Sequence, residues 1–342
     1  MGAPMNLAGL RFDRTAAVVD GSIRIENVNV INAPGGKAAV QGLLSGAFDA
    51  AEVPVARYVS WIDKGERLKA VPVFTDRLFQ HEYIFTRSDT NIRQLADLRG
   101  RRVVCAPSYF ATPSFWHRAL LKDAGVAPQE IEWHSVAPEA GEMRLPKDVT
   151  VKLSPASILG LERLLDGTAD ALMTARTPFV PKEHAGKVRR VLADANQQQR
   201  AWYAKTGFFP ILHVIAIRED ALKARPDFGK EICKAYDEAK AYAYRVLQDD
   251  RMTGLPFMRG YLDDAVAAGG DDPWPYGLER NRGEIDRLLQ LAHDDGLTTR
   301  RLTVEQLFDE RCCTYEFRAR MTPGCILGTS EGGWAPNSVG PA

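Results

Sequence analysis

The chain has 342 residues, 45% of them hydrophobic and 26% charged, with 44 Lys plus Arg set against 44 Asp plus Glu. A balanced charge supplies no field to draw the protein onto nucleic acid or an anionic membrane, and no run approaches the roughly 20 apolar residues of a membrane-spanning helix, so both partners are excluded and a small molecule is favoured. The length favours two lobes, each with its own interior. In chain order, "IRIENVNVI" (23–31) alternates as a strand and "KAAVQGLLSG" (37–46) has helical spacing ended by Gly46. "FDAAEVPVARYVSWIDKG" passes from a short strand into a helix whose early Pro54 suits a first turn. "LKAVPVF" and "YIFTR" are strands, and "TNIRQLADLRGRRVVCAPS" is a short helix, a turn at Gly100 and a strand.

"ATPSFWHRALLKDAGV" reads as a helix with Thr112 as N-cap and Pro113 in its first position. "IEWHSV" is a strand, "SPASILGLERLLDGTADALMT" a helix, turn and strand, and "VRRVLAD" another strand. After "FPILHVIAIRED" come a long amphipathic helix over 227–247 and two more helices within 276–309 around Gly296; the tail from Gly328 is rich in Gly, Ser and Pro. Strands alternating with helices indicate an α/β fold with sheets covered on both faces. In such sheets ligands gather beyond the carboxyl ends of strands. The polar residues there are Asp13 and Arg14, Glu52, Arg77 and His81, Ser108 and Tyr109, and Thr174 and Arg176, with His213 inside an apolar run.

The opening "MGAPMNLAGLRFDRT" has neither a charged nor an apolar leader region, so no secretory signal is expected. Five cysteines, with no CxxC pair, point away from a disulfide framework or zinc ribbon and towards a reduced, cytoplasmic protein. There is no Gly-rich phosphate loop, no GxSxG elbow and no HExxH, and the short basic "RGRRV" reads as a solvated turn.

Six stretches, "FDRTAAVVDG", "FDAAEVPVARYVS", "VPVFTDRLFQHEYIF", "LADLRGRRVVCAPSY", "GFFPILHVIAIR" and "WPYGLERNRGEIDRLL", together resemble the 4,5-dihydroxyphthalate decarboxylase family, in the same order from about residue 9 to about residue 310. The resemblance implies a type II periplasmic-binding-protein-like fold of two lobes with the ligand in the cleft between them. The first lobe would hold 1–88 and 208–327, the second 89–207, with a flexible tail over 328–342 and a hinge of two crossing strands, "HEYIFTR" and "HVIAIRE". It also makes site residues of Glu52, Arg77, His81 and His213. The chain departs from the family at Gln80, where Arg is usual, at Pro54 to Ala56, where small hydroxyl residues are usual, and at "TARTP".

The implied function is decarboxylation of a hydroxylated aromatic carboxylic acid in aromatic catabolism. A ring hydroxyl donates electron density, the carboxyl-bearing carbon takes a proton, and carbon dioxide leaves, so the enzyme must supply an acid, a base and anion clamps but no organic cofactor. His81 is the expected acid, because imidazole titrates near neutral pH. Glu52 and His213 complete the catalytic set; from its apolar surroundings alone His213 reads as a buried, hydrogen-bonded core histidine, and only the resemblance makes it a site residue. Arg77, whose guanidinium can bind a carboxylate bidentately, is the expected clamp. Asp13, Arg14, Ser108, Tyr109, Thr174 and Arg176 are the remaining substrate contacts. A divalent metal on Glu52, His81 and His213 is the cofactor option kept open. Homo-oligomerisation is also open. The rival functions are a non-catalytic solute-binding protein or sensor for a small carboxylate, against which the missing leader counts, and a related lyase or hydrolase acting on a heteroaromatic acid.

Overall fold

The computed structural model describes residues 3–139, 144–154 and 160–321. The strands are β1 (Met5–Gly9), β2 (Val28–Asn32), β3 (Ala50–Pro54), β4 (Leu68–Arg77), β5 (Ile84–Arg87), β6 (Arg102–Cys105), β7 (Glu132–Ser135), β8 (Val151–Leu153), β9 (Ala171–Met173), β10 (Val188–Arg190) and β11 (Ile211–Arg218). They form two mixed sheets, ordered β2-β1-β3-β11-β4 and β10-β5-β9-β6-β7-β8. In the first, β1 runs parallel to β2 and β3, and β11 returns antiparallel between β3 and β4. In the second, β6 lies parallel to β7 and β9, and β5 is antiparallel to both β9 and β10.

The two sheets share no strand. β5 pairs wholly within the second, so residues 84–87 belong with the second lobe and the first crossing falls in the loop 78–83, a few residues before the boundary expected at 88. The return passes through the helix Ala195–Thr206 into β11. The chain runs straight through both strands read as the hinge; it changes lobe in the connections beside them.

Local chemistry explains most element ends. Gly46 closes the helix Gly36–Ser45 at φ 80°, a left-handed conformation that costs glycine little. The helix Phe228–Gln248 buries Phe228, Ile232, Cys233, Ala235, Tyr236, Ala239 and Ala243, a stripe at three-to-four-residue spacing that docks on the first sheet. Helices Leu278–Asp294 and Val304–Leu307 flank Gly296 as expected. The helix read from "SPASILG" is described only over Leu161–Leu165, and the tail from Gly328 lies outside the described residues.

The helix Thr112–Asp123 joins the two halves. Its N-cap is Ala111, with Pro113 in the first turn; Thr112, expected to cap, instead accepts a hydrogen bond at its hydroxyl from the Ala56 N–H, 3.2 Å away in the first lobe. Phe115, Trp116 and Ala119 enter the first-lobe core. Trp116 Nε1 donates to the Ile211 carbonyl at 2.9 Å, and Arg118 Nε and Lys122 Nζ grip Asp295 at 2.6 and 2.7 Å. Arg118 and Asp295 are both buried, and the guanidinium also stacks on Tyr109, 3.8 Å from its ring centre.

Candidate functional site

The first sheet assembles a titratable cluster by register. His213 lies opposite Pro54 on β3 and opposite Asp76 on β4, while Ile215 lies opposite Glu52. Since side chains two apart along a strand share a face, Glu52 and His213 are diagonal neighbours on one face, with Asp76 directly across the other ladder. Register shifts on both sides of His213 bend the ladder with β4 there, as bulges beside sites commonly do. The result is a hydrogen bond of 2.8 Å between His213 Nδ1 and Glu52 Oε1. Glu52 is fully buried, and its other oxygen accepts the Leu10 N–H at 3.2 Å.

Burial pulls the His213 pKa down, but the bond to Glu52 and the charges of Glu52 and Asp76 outweigh it, and the net shift is upward from 6.5. Burial raises the Asp76 carboxyl, with His213 and Arg14 resisting. The three form a proton-holding unit: an imidazole fixed by one carboxylate that favours its protonated form, faced by a second carboxylate that accepts protons more readily than an ordinary aspartate.

Arg14 closes one side. Its Nε donates to the Thr75 carbonyl at 2.8 Å, Nη1 bonds Asp13 at 2.8 Å, and Nη2 lies 3.9 Å from Asp76. The guanidinium stacks 3.7 Å from the Trp274 ring centre, so its direction is fixed. Asp13 and Arg14 also line a cavity of about 390 Å³ walled by Phe79, Tyr203, Phe209 and Trp274; Glu52 and His213 lie outside its wall.

Two expected roles change. Arg77, the expected clamp, is buried away from any ligand. Nη1 donates to the Phe209 carbonyl at 2.6 Å and to Glu284 at 3.3 Å, and Nη2 to the Pro275 carbonyl at 2.8 Å and to Asn281. With these acceptors filled, the guanidinium ties the β4 end to the β11 entry and to the helix Leu278–Asp294. Glu284 also accepts the Phe209 and Ile211 N–H groups.

His81, the expected acid, sits in another environment, against the Phe79 and Trp202 rings. Burial drops its pKa to about 4, so near neutral pH it holds no proton to give. His117, completely buried, is pulled down to about 3 by burial and by Arg118 and His81. Gln80, where the family usually has Arg, is buried with its amide turned back onto the Leu78 carbonyl at 2.8 Å. Glu52, His81 and His213 therefore do not converge, and among the described residues no group of three or more His, Cys, Asp or Glu could hold a metal ion.

The second lobe contributes Ser108, Thr174 and Arg176 at strand ends. Ser108 Oγ donates to Glu139 at 2.9 Å. Thr174 is buried, and its hydroxyl accepts the Arg176 N–H at 3.4 Å, while the Arg176 side chain is exposed with no partner among the described residues. Tyr109, expected to touch substrate, is core: fully buried, edge-on to Trp133 and Phe110, and covered by Arg118.

Sequence reading missed Asp76 as a partner of His213, and it missed Asn281, Glu284, Trp274 and Glu139. "WPYGLERNRGEI" carries three of these, and its unusual density of aromatic and polar residues was the available signal. Glu139 had none.

A model of a periplasmic phosphonate substrate-binding protein of ABC transporters matches residues 25–190. The chain is 28% identical over 316 residues to a 4,5-dihydroxyphthalate decarboxylase of Comamonas testosteroni, covering 89% of this chain and 96% of that one. It is 27% identical over 209 residues to a protein of the same name from Pseudomonas putida, covering 58% and 81%. Among solved structures it resembles the periplasmic aliphatic sulphonate binding protein SsuA of Escherichia coli, with a TM-score of 0.55 at 14% identity over 90% of this chain and 98% of that one. It likewise resembles the alkanesulfonate-binding SsuA of Xanthomonas axonopodis pv. citri, with a TM-score of 0.52 at 14% identity over 90% and 98%. The resemblance read from the six sequence stretches is thereby borne out: the chain is similar to proteins named 4,5-dihydroxyphthalate decarboxylase and has a periplasmic-binding-protein-like fold.

Proposed function

We propose that the protein is a decarboxylase of a hydroxylated aromatic carboxylic acid, with His213 as the acid. The observation that carries this reading is the 2.8 Å bond between His213 Nδ1 and the buried Glu52, with Asp76 opposite His213 across the β4 ladder; both carboxylates favour the protonated ring. A receptor needs donors and fixed charges to hold an anion; it has no need of an imidazolium between two carboxylates.

In this mechanism the Glu52 bond to Nδ1 fixes the ring and leaves Nε2 to face the substrate. The ring hydroxyl donates electron density and passes its proton to Asp76, and Nε2 delivers a proton to the carboxyl-bearing carbon. The bond to the carboxylate then breaks, its electron pair restores the aromatic ring, and carbon dioxide departs. Asp76 returns its proton to the phenolate and solvent recharges His213, so one proton is consumed for each carboxylate lost. Arg14 and Arg176 are the anion contacts that replace Arg77.

The test is to incubate the purified protein with mono- and dihydroxylated benzoates and phthalates and to follow loss of acid together with release of carbon dioxide. Turnover that disappears in His213→Ala supports the reading, and binding without turnover across the panel refutes it. The second reading, a binding protein or sensor, is favoured by the cavity lined by Arg14 and Arg200, whose aromatic walls and guanidinium groups suit a small aromatic anion without chemistry.

A further inference from the structure

The carboxyl ends of β6 and β7 carry an arrangement that the Glu52, Asp76 and His213 cluster does not use. The Glu139 carboxylate lies there, accepting from Ser108 Oγ at 2.9 Å, from the Phe110 N–H at 3.2 Å and from Ser135 Oγ at 3.2 Å. Ser135 also accepts the Tyr109 N–H at 3.0 Å, which holds the loop in shape. All the donors to Glu139 are neutral, and among the described residues the carboxylate has no cationic partner. On β9, paired to β6 with Met173 beside Cys105, the chain continues to Arg176, an exposed guanidinium without a partner among the described residues. An anion lacking a cation and a cation lacking an anion, among the described residues, thus follow β7 and β9, the two strands that flank β6.

The position faces that cluster's lobe. Thr112, two residues beyond Phe110, bonds Ala56, four residues beyond Glu52. The Thr112–Ala56 bond holds the helix after this loop against the lobe that carries Glu52 and His213. Neutral hydroxyl and amide donors around a carboxylate make a selective anion cradle, since each bond to an ionised acceptor is stronger than its neutral counterpart.

We propose that Ser108, the Phe110 N–H and Ser135 form the subsite for a carboxylate of the substrate, and that Glu139 is an internal carboxylate which the substrate displaces. This rests on the proposed function for the substrate class, but the cradle itself needs only an aromatic carboxylate. Displacement frees Glu139, and the incoming carboxylate takes the hydroxyls and gains Arg176. An internal group that fills a site nine times in ten weakens apparent affinity about tenfold, so removing it should tighten binding by about that factor.

The experiment measures binding of phthalate and benzoate, which lack the activating hydroxyl, by calorimetry on wild type, Glu139→Ala and Glu139→Gln. Alanine is expected to tighten binding about tenfold, and glutamine, whose amide group opposes the Phe110 N–H, by a smaller factor. Adding Ser108→Ala and Ser135→Ala to Glu139→Ala should remove the gain. Should Glu139→Ala not fold, Glu139→Gln and the two serine variants in the wild-type chain carry the same comparison. Equal affinity in wild type and both Glu139 variants, or a gain that survives loss of the serines, overturns the proposal. Tightened binding without turnover of any hydroxylated acid would leave the cradle standing and sink the decarboxylase, and turnover with unchanged phthalate affinity would do the reverse.

Discussion

Arg77→Lys separates a structural role from a ligand-binding one, because the two predict opposite readouts. Lysine keeps the charge beside Glu284 but cannot span the four acceptors that the planar fork reaches, Phe209 and Pro275 carbonyls, Asn281 and Glu284. Two of these would be stranded in a fully buried site. Each stranded polar group costs about 1 to 3 kcal/mol, so the expected loss is about 4 kcal/mol, equivalent to a fall in Tm of roughly 6 °C for 342 residues at about 2.1 cal/mol/K of unfolding entropy per residue. Thermal melting and urea unfolding of the two proteins read this directly, and substrate affinity measured well below the new Tm should change little. A Tm within 2 °C of wild type together with a clear loss of affinity would refute the structural assignment and restore the clamp.

Glu52→Gln should lower kcat strongly and shift the alkaline limb of the pH–activity profile to lower pH, since His213 then loses the bond and charge that raise its pKa; an unmoved limb would remove His213 as the acid. Stability should fall as pH drops from 6.5 towards 4: the unfolded chain protonates His81 and His117 in that window while the folded chain resists until about 4 and about 3. The slope from these two groups approaches about 1.4 kcal/mol per pH unit for each. Urea unfolding at pH 7, 5.5 and 4.5 checks this, and His117→Leu should flatten the acid limb. Arg176→Ala should weaken binding of carboxylates by about tenfold without changing Tm, as expected for an exposed cation meeting an anion; unchanged affinity would exclude it from the site.

Much of the fold was legible because its signals are local. Gly46 at a helix end, the alternation over 23–31 and the stripe along 228–248 depend on residues within one or two turns of each other. The site depends on distant ones: His213 lies 161 residues from Glu52 and Arg77 lies 207 from Glu284. An imidazole in an apolar strand looks the same whether it is buried inertly or meets a carboxylate across a ladder, and only the register separates the two. Arg77 and His81 misled for the same reason. Polar residues after a strand signal a cleft, but which of them turn inward is decided by Asn281, Glu284 and Trp202, which pack onto that loop from later in the chain. Thr112 shows the point in miniature: it has the chemistry of a cap, yet its hydroxyl serves Ala56 in the other lobe.

The grip of Arg118 and Lys122 on Asp295, with Trp116 bonded to β11, bears on how molecules enter and leave. Swinging the halves apart would expose aromatic surface and strand a desolvated guanidinium, a cost of several kcal/mol for breaking one buried pair. Traffic of a ligand in and out then runs through side-chain and loop rearrangement at the cleft mouth, and the radius of gyration in solution should be the same with and without a bound aromatic acid.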